Sequence, residues 1–252
     1  MNTLQDRVAL VTGSSRGIGA AIATLFANEG ARVVVHGRDT DAVETVRSQI
    51  EATGARVVSV IADLTRYDEI EGMRDRIEQV HGPVDILVAN AGGSPSRPGP
   101  IEEISEEAWR ASVDANLTAT FLTIKCFLRG MKERGRGNVI TMSSAAARRP
   151  NPGSPIAYAA AKAGIELLTK DVAAQAGPHG VRVNCIAPET IMTETNQQQI
   201  PEQVQETLRG THPIRRLGTP EDVAQTALFL ASDNSAWISG IVVDVAGGSV
   251  LV

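Results

Sequence analysis

Cysteine, histidine and aromatic residues are all scarce in this 252-residue chain, and each scarcity removes a class of chemistry. The two cysteines, Cys126 and Cys185, each sit inside an apolar stretch, which suits reduced core thiols rather than a disulfide framework. His36, His81, His179 and His212 show no H-x-x-x-H spacing, and no C-x-x-C accompanies them, so no catalytic metal is expected. No apolar run reaches the roughly 20 residues of a membrane span, and the opening MNTLQDRVALVTG lacks the basic and apolar regions of a signal peptide. The expected compartment is the cytoplasm, with no membrane partner. A net charge of -5 argues against nucleic acid as the main partner.

What the chain does hold is alternation. Hydrophobic residues make up 42% of it, enough to bury a sizeable core. Short β-branched runs recur at 8–11, 33–35, 57–61, 86–89, 139–142, 181–187 and 241–245. They are nearly all apolar rather than alternating, as strands of a parallel sheet covered on both faces should be. Helical patterns lie between them; over 16–28, Ile18, Ile22, Leu25 and Phe26 share one face. Strand–helix alternation at this spacing predicts an α/β fold: a doubly wound, Rossmann-type, seven-stranded parallel sheet with helices on both faces. No composition break divides it, so one domain over 1–252 is expected.

Two segments interrupt the rhythm. Residues 92–100 (GGSPSRPGP) form a Gly/Pro-rich loop after the fourth strand. Residues 189–218 form a long insertion before the last helix, with a polar run at Gln197–Gln199 and a short helix expected over 201–209. Ligands of open α/β sheets bind beyond the carboxyl ends of the strands, where both segments fall, so 189–218 is expected to act as a substrate lid.

After the first strand comes Thr12-Gly13-Ser14-Ser15-Arg16-Gly17-Ile18-Gly19 and then a helix. Glycines at this corner allow a tight turn and close approach of backbone to a pyrophosphate, with the helix N-terminus facing the anion. Farther along, Tyr158 and Lys162 stand at i and i+4, one helix face, shortly after Ser143-Ser144. A free phenol titrates near pH 10. A neighbouring ammonium and a helix N-terminus are expected to lower that value and make the tyrosine an acid/base catalyst.

Taken in order, T-G-x-x-x-G-x-G, Asn90-Ala91-Gly92, Asn116, Ser144 and Tyr158-x-x-x-Lys162 resemble the short-chain dehydrogenase/reductase family, with 3-oxoacyl-[acyl-carrier-protein] reductases the nearest in flavour. The resemblance implies an NAD(P)-dependent oxidoreductase. Tyr158 would be the acid/base, with Lys162 lowering its pKa and binding the nicotinamide ribose. Ser144 would hydrogen-bond the substrate carbonyl, and Asn116 would hold a water linking Lys162 to solvent. Cofactor contacts are implied for Gly13, Ser15, Arg16, Gly17, Ile18 and Gly19 in the turn. Further contacts fall on Asp63 and Leu64 after strand three, on Asn90, Ala91 and Gly92, and on Pro188, Ile191 and Thr193 after strand six.

Relatives that prefer NAD carry an acid at the end of strand two; here the sequence reads His36-Gly37-Arg38-Asp39. Arg38 and Arg16 suit a 2′-phosphate, so NADP (NADPH) is favoured, with Asp39 leaving NAD open. Glu189 replaces the glycine usual after Pro188, and a carboxylate there disfavours anionic substrates. Gly93, Ser94, Ala145, Pro152 and Met192 are further pocket candidates. Arg134 and Arg136 are candidate docking residues for an acidic acyl carrier, although His179 stands where such reductases tend to have arginine. A small carbonyl or alcohol substrate, acyl-carrier-bound or free, is expected; sugars, polyols and cyclic alcohols stay open. Apolar helices over 105–132 and 157–176, with an apolar tail over 239–252, predict a homotetramer.

Overall fold

A computed structural model describes residues 3–94 and 96–251; Pro95 of the Gly/Pro-rich loop and the chain's last residue, Val252, lie outside them, as do Met1 and Asn2. Seven parallel strands are ordered β3-β2-β1-β4-β5-β6-β7. They are β1 (Val8–Val11), β2 (Arg32–Gly37), β3 (Val57–Ile61), β4 (Ile86–Ala89), β5 (Gly137–Met142), β6 (Val181–Pro188) and β7 (Val242–Val245). Each expected strand is present; β2, β5 and β6 run longer than their apolar runs because residues such as Asn138 pair in the ladder while bonding elsewhere through their side chains.

Helices α1 (Gly17–Asn28), α2 (Thr40–Glu51) and α3 (Tyr67–His81) follow the first three strands. After β4 come α4 (Glu106–Val113) and α5 (Ala119–Glu133), and after β5 the single-turn α6 (Ala145–Arg148) and the long α7 (Ile156–Ala176). After β6 come α8 (Glu194–Gln199), α9 (Glu202–Thr211) and α10 (Pro220–Ala231).

The uninterrupted apolar strands are explained by two cores. Ala9, Val11, Val33 and Val35 face α1, α2 and α10 through Ile22, Phe26, Val43 and Leu230. Val8, Leu10 and Val34, one residue out of phase, face α3, α5 and α7 through Ile70, Ile77, Phe127 and Val172. Period-two alternation places successive residues on opposite faces, so a sheet covered twice needs apolar residues at every position.

Strand order reverses between β1 and β4. Diverging connections open a crevice at that point, above the carboxyl ends of the strands. Residues 189–218 rise there as expected, pinned at the base by the bridge between Ile191 and Gly218 and the 2.8 Å bond from Met192 N to Gly218 O. The polar Gln197–Gln199 run proves helical, as the end of α8. Thr193 caps that helix, accepting from the Asn196 amide, a start signal that the run of glutamines masked.

Candidate active site

The glycine corner between β1 and α1 is held from outside by two side chains, Asn90 and His36, and one backbone amide, that of Ala91. Asn90 Nδ2 donates to the carbonyls of Thr12 (2.9 Å) and Gly13 (3.1 Å), and Ala91 N donates to Thr12 Oγ1 at 3.0 Å. Asn90 therefore shapes the turn from behind. His36, buried at the end of β2, accepts from the Gly13 amide through Nδ1 (3.1 Å) and so donates to Ala62 O through Nε2 (3.1 Å). Burial drives the His36 pKa down to about 4, which keeps the ring neutral and its tautomer fixed.

Gly19 is needed for contact alone: a Cβ there would stand 2.3 Å from Gly13 O. Gly13 has φ +63°, and a Cβ on it would meet Ala91 Cα at 2.8 Å. The corner is therefore a backbone cradle that side chains would fill, and its amides precede a helix N-terminus, as a pyrophosphate requires.

Two adjoining cavities extend from this corner. One, of about 530 Å³, is bordered by Ser15, Arg16, Arg38, Asp63, Leu64 and Ala91, all residues expected to contact the dinucleotide. The Asp63 carboxylate is already engaged by Thr65 N (2.9 Å) and Thr65 Oγ1 (2.8 Å), which hold its pKa below the usual carboxylate range. It caps no helix, since α3 begins at Tyr67. Asp39 caps α2 through the Ala42 amide (3.1 Å) and lies 3.5 Å from Arg16.

The second cavity, of about 580 Å³, brings Gly17, Ile18, Gly92, Ser144, Tyr158, Lys162, Pro188, Ile191 and Thr193 around one space. Gly93, Ser94 and Ala145 border it too, with Asn151 and Ser154 added from a loop and Asn196 from α8, while Pro152 and Met192 do not. Pro152 is exposed, and Met192 is drawn into the base of the 189–218 excursion by its bond to Gly218. Asn151 and Ser154 carried no motif to flag them; the Pro/Gly-rich run that seats them is their only sequence signal.

Ser143 and Ser144 divide sharply. Ser143 Oγ is buried and turned away, donating to Glu166 Oε1 at 2.8 Å with the Lys162 carbonyl at 3.2 Å. Ser144 Oγ accepts from Ala146 N at 3.2 Å and hydrogen-bonds Tyr158, lowering that phenol's pKa. The later serine of the pair is thus the one beside the tyrosine.

One expectation needs correction. Tyr158's pKa lies above, not below, its ordinary value, because burial outweighs the Ser144 bond. Lys162 does not reverse this. Fully enclosed, its own pKa falls to about 8, and its ammonium donates to Met142 O at 2.8 Å and lies over the Tyr158 ring, 5.5 Å from the centroid.

Asn116 lies in a π turn, Asp114–Thr118, that joins α4 to α5 without a break, so the long helix expected around it is continuous and bulged at this residue. Its amide is committed: Nδ2 donates to Gly93 O and Ser112 O, both at 2.8 Å, and Oδ1 accepts from Gly93 N at 3.1 Å. Bonding to Ser112 O, the group an α-helix assigns to its own backbone amide, accompanies the wider turn. With its amide engaged in this way, the side chain clamps Gly93 beside Lys162. A Cβ at Gly92 would fall 2.6 Å from Asn116 Oδ1 and 3.4 Å from Lys162 Nζ, so glycine alone lets these groups converge.

Arg134 and Arg136 lie at the other end of the sheet. They precede β5, whose six residues separate them from Ser144 by about 20 Å at 3.3 Å per residue. Arg134 donates to Val84 O and Arg136 pairs with Asp85, on the amino side of the sheet. His179 precedes β6 at that same end. A carrier bound by these residues would not face the cleft of its own chain.

A parallel sheet with a glycine cradle at its switch point and a Ser–Tyr–Lys cluster beyond it defines a dinucleotide-dependent oxidoreductase. Residues 13–249 match the family model described as "Enoyl-(Acyl carrier protein) reductase". The chain is 36% identical over 251 residues to glucose 1-dehydrogenase 2 of Bacillus subtilis, with 98% of this chain and 96% of that one covered. It is also similar to a 3-oxoacyl-[acyl-carrier protein] reductase with bound NAD from Brucella melitensis, with TM-score 0.92, 35% identity, and 100% and 94% of the two chains covered. A third relative is a gluconate 5-dehydrogenase from Burkholderia cenocepacia in complex with NADP and tartrate, with TM-score 0.92, 30% identity, and 98% and 96% covered. The chain belongs to the short-chain dehydrogenase/reductase family, and it is an NAD(P)-dependent oxidoreductase acting on CH-OH and carbonyl groups. No helix among the described residues is long and apolar enough to cross a membrane.

Proposed function

We propose that the protein is an NADP-dependent oxidoreductase that interconverts a neutral carbonyl compound and its secondary alcohol, with Tyr158 as acid/base. The convergence of Ser144, Tyr158 and Lys162 on one cavity carries this reading. When bound, the dinucleotide supplies or receives the hydride, held by the glycine corner, Ile18, Asn90-Ala91-Gly92 and the Pro188–Thr193 segment. Ser144 Oγ donates to the substrate oxygen and stabilises the negative charge that develops there. Tyr158 delivers its phenolic proton to that oxygen in reduction and takes it back in oxidation. Lys162, charged below about pH 8, favours the phenolate that remains.

The preference for NADP is supported by Gly37. A Cβ there would stand 2.7 Å from Val43 Cγ2 and 3.2 Å from Ser15 Cβ, so an acid is poorly accommodated where NAD-preferring relatives carry one. Arg38 makes no ion pair within 4 Å among the described residues, which leaves its guanidinium for a 2′-phosphate.

Among substrates, the charges of the catalytic cavity favour an uncharged, hydroxyl-bearing compound over an anion or a carrier-bound acyl group. Its cations, Arg16 and Lys162, belong to the glycine corner and the catalytic helix; toward the loops it presents Glu189 and Glu194. A lid over 189–218 would close on such a compound.

The deciding experiment measures dinucleotide binding and carbonyl turnover in the wild type and Tyr158→Phe, using a cyclic diketone, an aldose, a 3-oxoacyl thioester and a keto acid. Retained binding with turnover lost supports the assignment. Full activity in Tyr158→Phe would remove it, and selective turnover of the thioester or keto acid would overturn the substrate reading.

A further inference from the structure

We propose that Arg148, Glu166 and Asp244 form a positioning device that fixes Ser144 against Tyr158 by anchoring the chain on both sides of the serine. The inference rests on the assignment of Ser144 and Tyr158 to the chemistry.

Ser144 lies at a strand-to-helix corner, followed by the single turn α6. One helical turn does not hold itself in water, because nucleation is unfavourable and so little is gained from its few bonds. Its last residue, Arg148, supplies the external hold. Arg148 Nη1 donates to Glu166 Oε2 at 2.8 Å, Nε donates to Asp244 Oδ1 at 2.9 Å, and Nη2 donates to Asp244 Oδ2 at 3.3 Å.

The residue before Ser144 is anchored to the same carboxylate. Ser143 Oγ donates to Glu166 Oε1 at 2.8 Å, and Ser143 N donates to Ile186 O at 2.8 Å. Glu166 is one turn beyond Lys162 on α7, and Lys162 itself donates to Met142 O. The end of β5 is therefore fastened to the catalytic helix at two successive heights. Asp244 adds a third point, on the edge strand β7.

The side chains of Arg148, Glu166 and Asp244 are only 17%, 11% and 21% exposed. Ion pairs this deep carry a desolvation penalty that their attraction roughly cancels, so net stability alone is a weak reason for them. Geometry is a better one. The guanidinium fork reaches two carboxylates in fixed directions, which a lysine ammonium does not reproduce. A misplaced serine would lose its bond to the substrate oxygen and to Tyr158 together.

The test compares Arg148→Lys and Asp244→Asn with the wild type, alone and in a Ser144→Ala background. Each is followed by thermal unfolding, dinucleotide affinity, and kcat and KM across pH. Expected are folded proteins with dinucleotide Kd and KM within about twofold, and kcat at least tenfold lower. The alkaline limb of the kcat profile should move up, because Tyr158 loses part of the Ser144 bond while Lys162 stays over its ring. With Ser144 already replaced, either change should lower kcat less than twofold further, since groups acting through one another are not additive. Unchanged kcat in both folded variants overturns the proposal, as does an undiminished loss in the Ser144→Ala background. Should Arg148→Lys fail to fold, Asp244→Asn decides alone. Full activity in Tyr158→Phe would instead mark failure of the underlying assignment.

Discussion

Lys162 lies over the ring of Tyr158, 5.5 Å from its centroid, and gives its hydrogen bond to Met142 O. In this arrangement the protein buries an ammonium against its preference, and the burial takes its pKa from 10.5 to about 8. Below pH 8 the group is charged in folded and unfolded chains alike, and folding bears the full burial penalty. Between pH 8 and 10.5 the folded chain has released the proton that the unfolded chain keeps, so this contribution to stability rises with pH.

Lys162→Met should therefore stabilise the dinucleotide-free protein at pH 7, by roughly 2 kcal/mol after allowing for the lost bond to Met142 O. The advantage should shrink toward pH 10. Turnover should fall by orders of magnitude. Urea unfolding of both proteins at pH 7 and pH 10 tests the stability claim; a variant less stable than the wild type at pH 7 would contradict it.

His36 predicts the opposite edge of the pH range. Its folded pKa of about 4 lies below the unfolded 6.5, so the unfolded chain takes up a proton first as pH falls. Stability from this residue is complete above pH 6.5 and declines by about 3 kcal/mol down to pH 4. His36→Phe should flatten that part of the pH–stability curve. It should also weaken dinucleotide binding, because the Gly13 amide loses its acceptor. Denaturant unfolding at pH 7, 5.5 and 4, wild type minus variant, measures the slope; equal slopes would clear His36 of the role.

What the sequence made legible follows from which interactions are local. All seven strands could be read because a doubly covered sheet writes its burial into consecutive residues. The glycine corner and the Tyr158–Lys162 spacing were legible for the same reason, each being set within one turn of chain. Long-range bonds were not. Nothing near Asn116 announces that Gly93 fills its amide, and nothing near Arg148 points to Asp244, 96 residues away. The burial of Tyr158 and of Lys162, and so the direction of each shift, depends on how β5 and α7 pack. Arg134 and Arg136 were misplaced because charge is visible in sequence, whereas the end of the sheet it occupies depends on where β5 begins.

The proposed preference for NADP rests on Arg38. Arg38→Asp should lower kcat/KM with NADPH relative to NADH by about 10- to 100-fold, the range expected for one charged hydrogen-bonding contact. Gly37→Asp should be the poorer route to the same end, since its side chain meets Val43 and Ser15. Steady-state ratios for both dinucleotides give the answer; an unchanged ratio in Arg38→Asp would take that residue out of the 2′-phosphate site.

Two separate apolar surfaces would carry the expected assembly. On the layer of α5 and α7, Phe121 and Leu167 are 46% and 61% exposed. On the opposite layer, Phe229 of α10 and Ile241 before β7 are 43% and 40% exposed. One self-complementary patch makes a dimer, whereas two on opposite faces of a subunit make a dimer of dimers. The expected homotetramer should thus fall apart in steps. Leu167→Glu alone, or Phe229→Glu alone, should give dimers in sedimentation velocity, and the double variant should give monomers, because a carboxylate buried without a partner costs more than a typical contact returns. A tetramer surviving both changes would show that neither face carries the assembly.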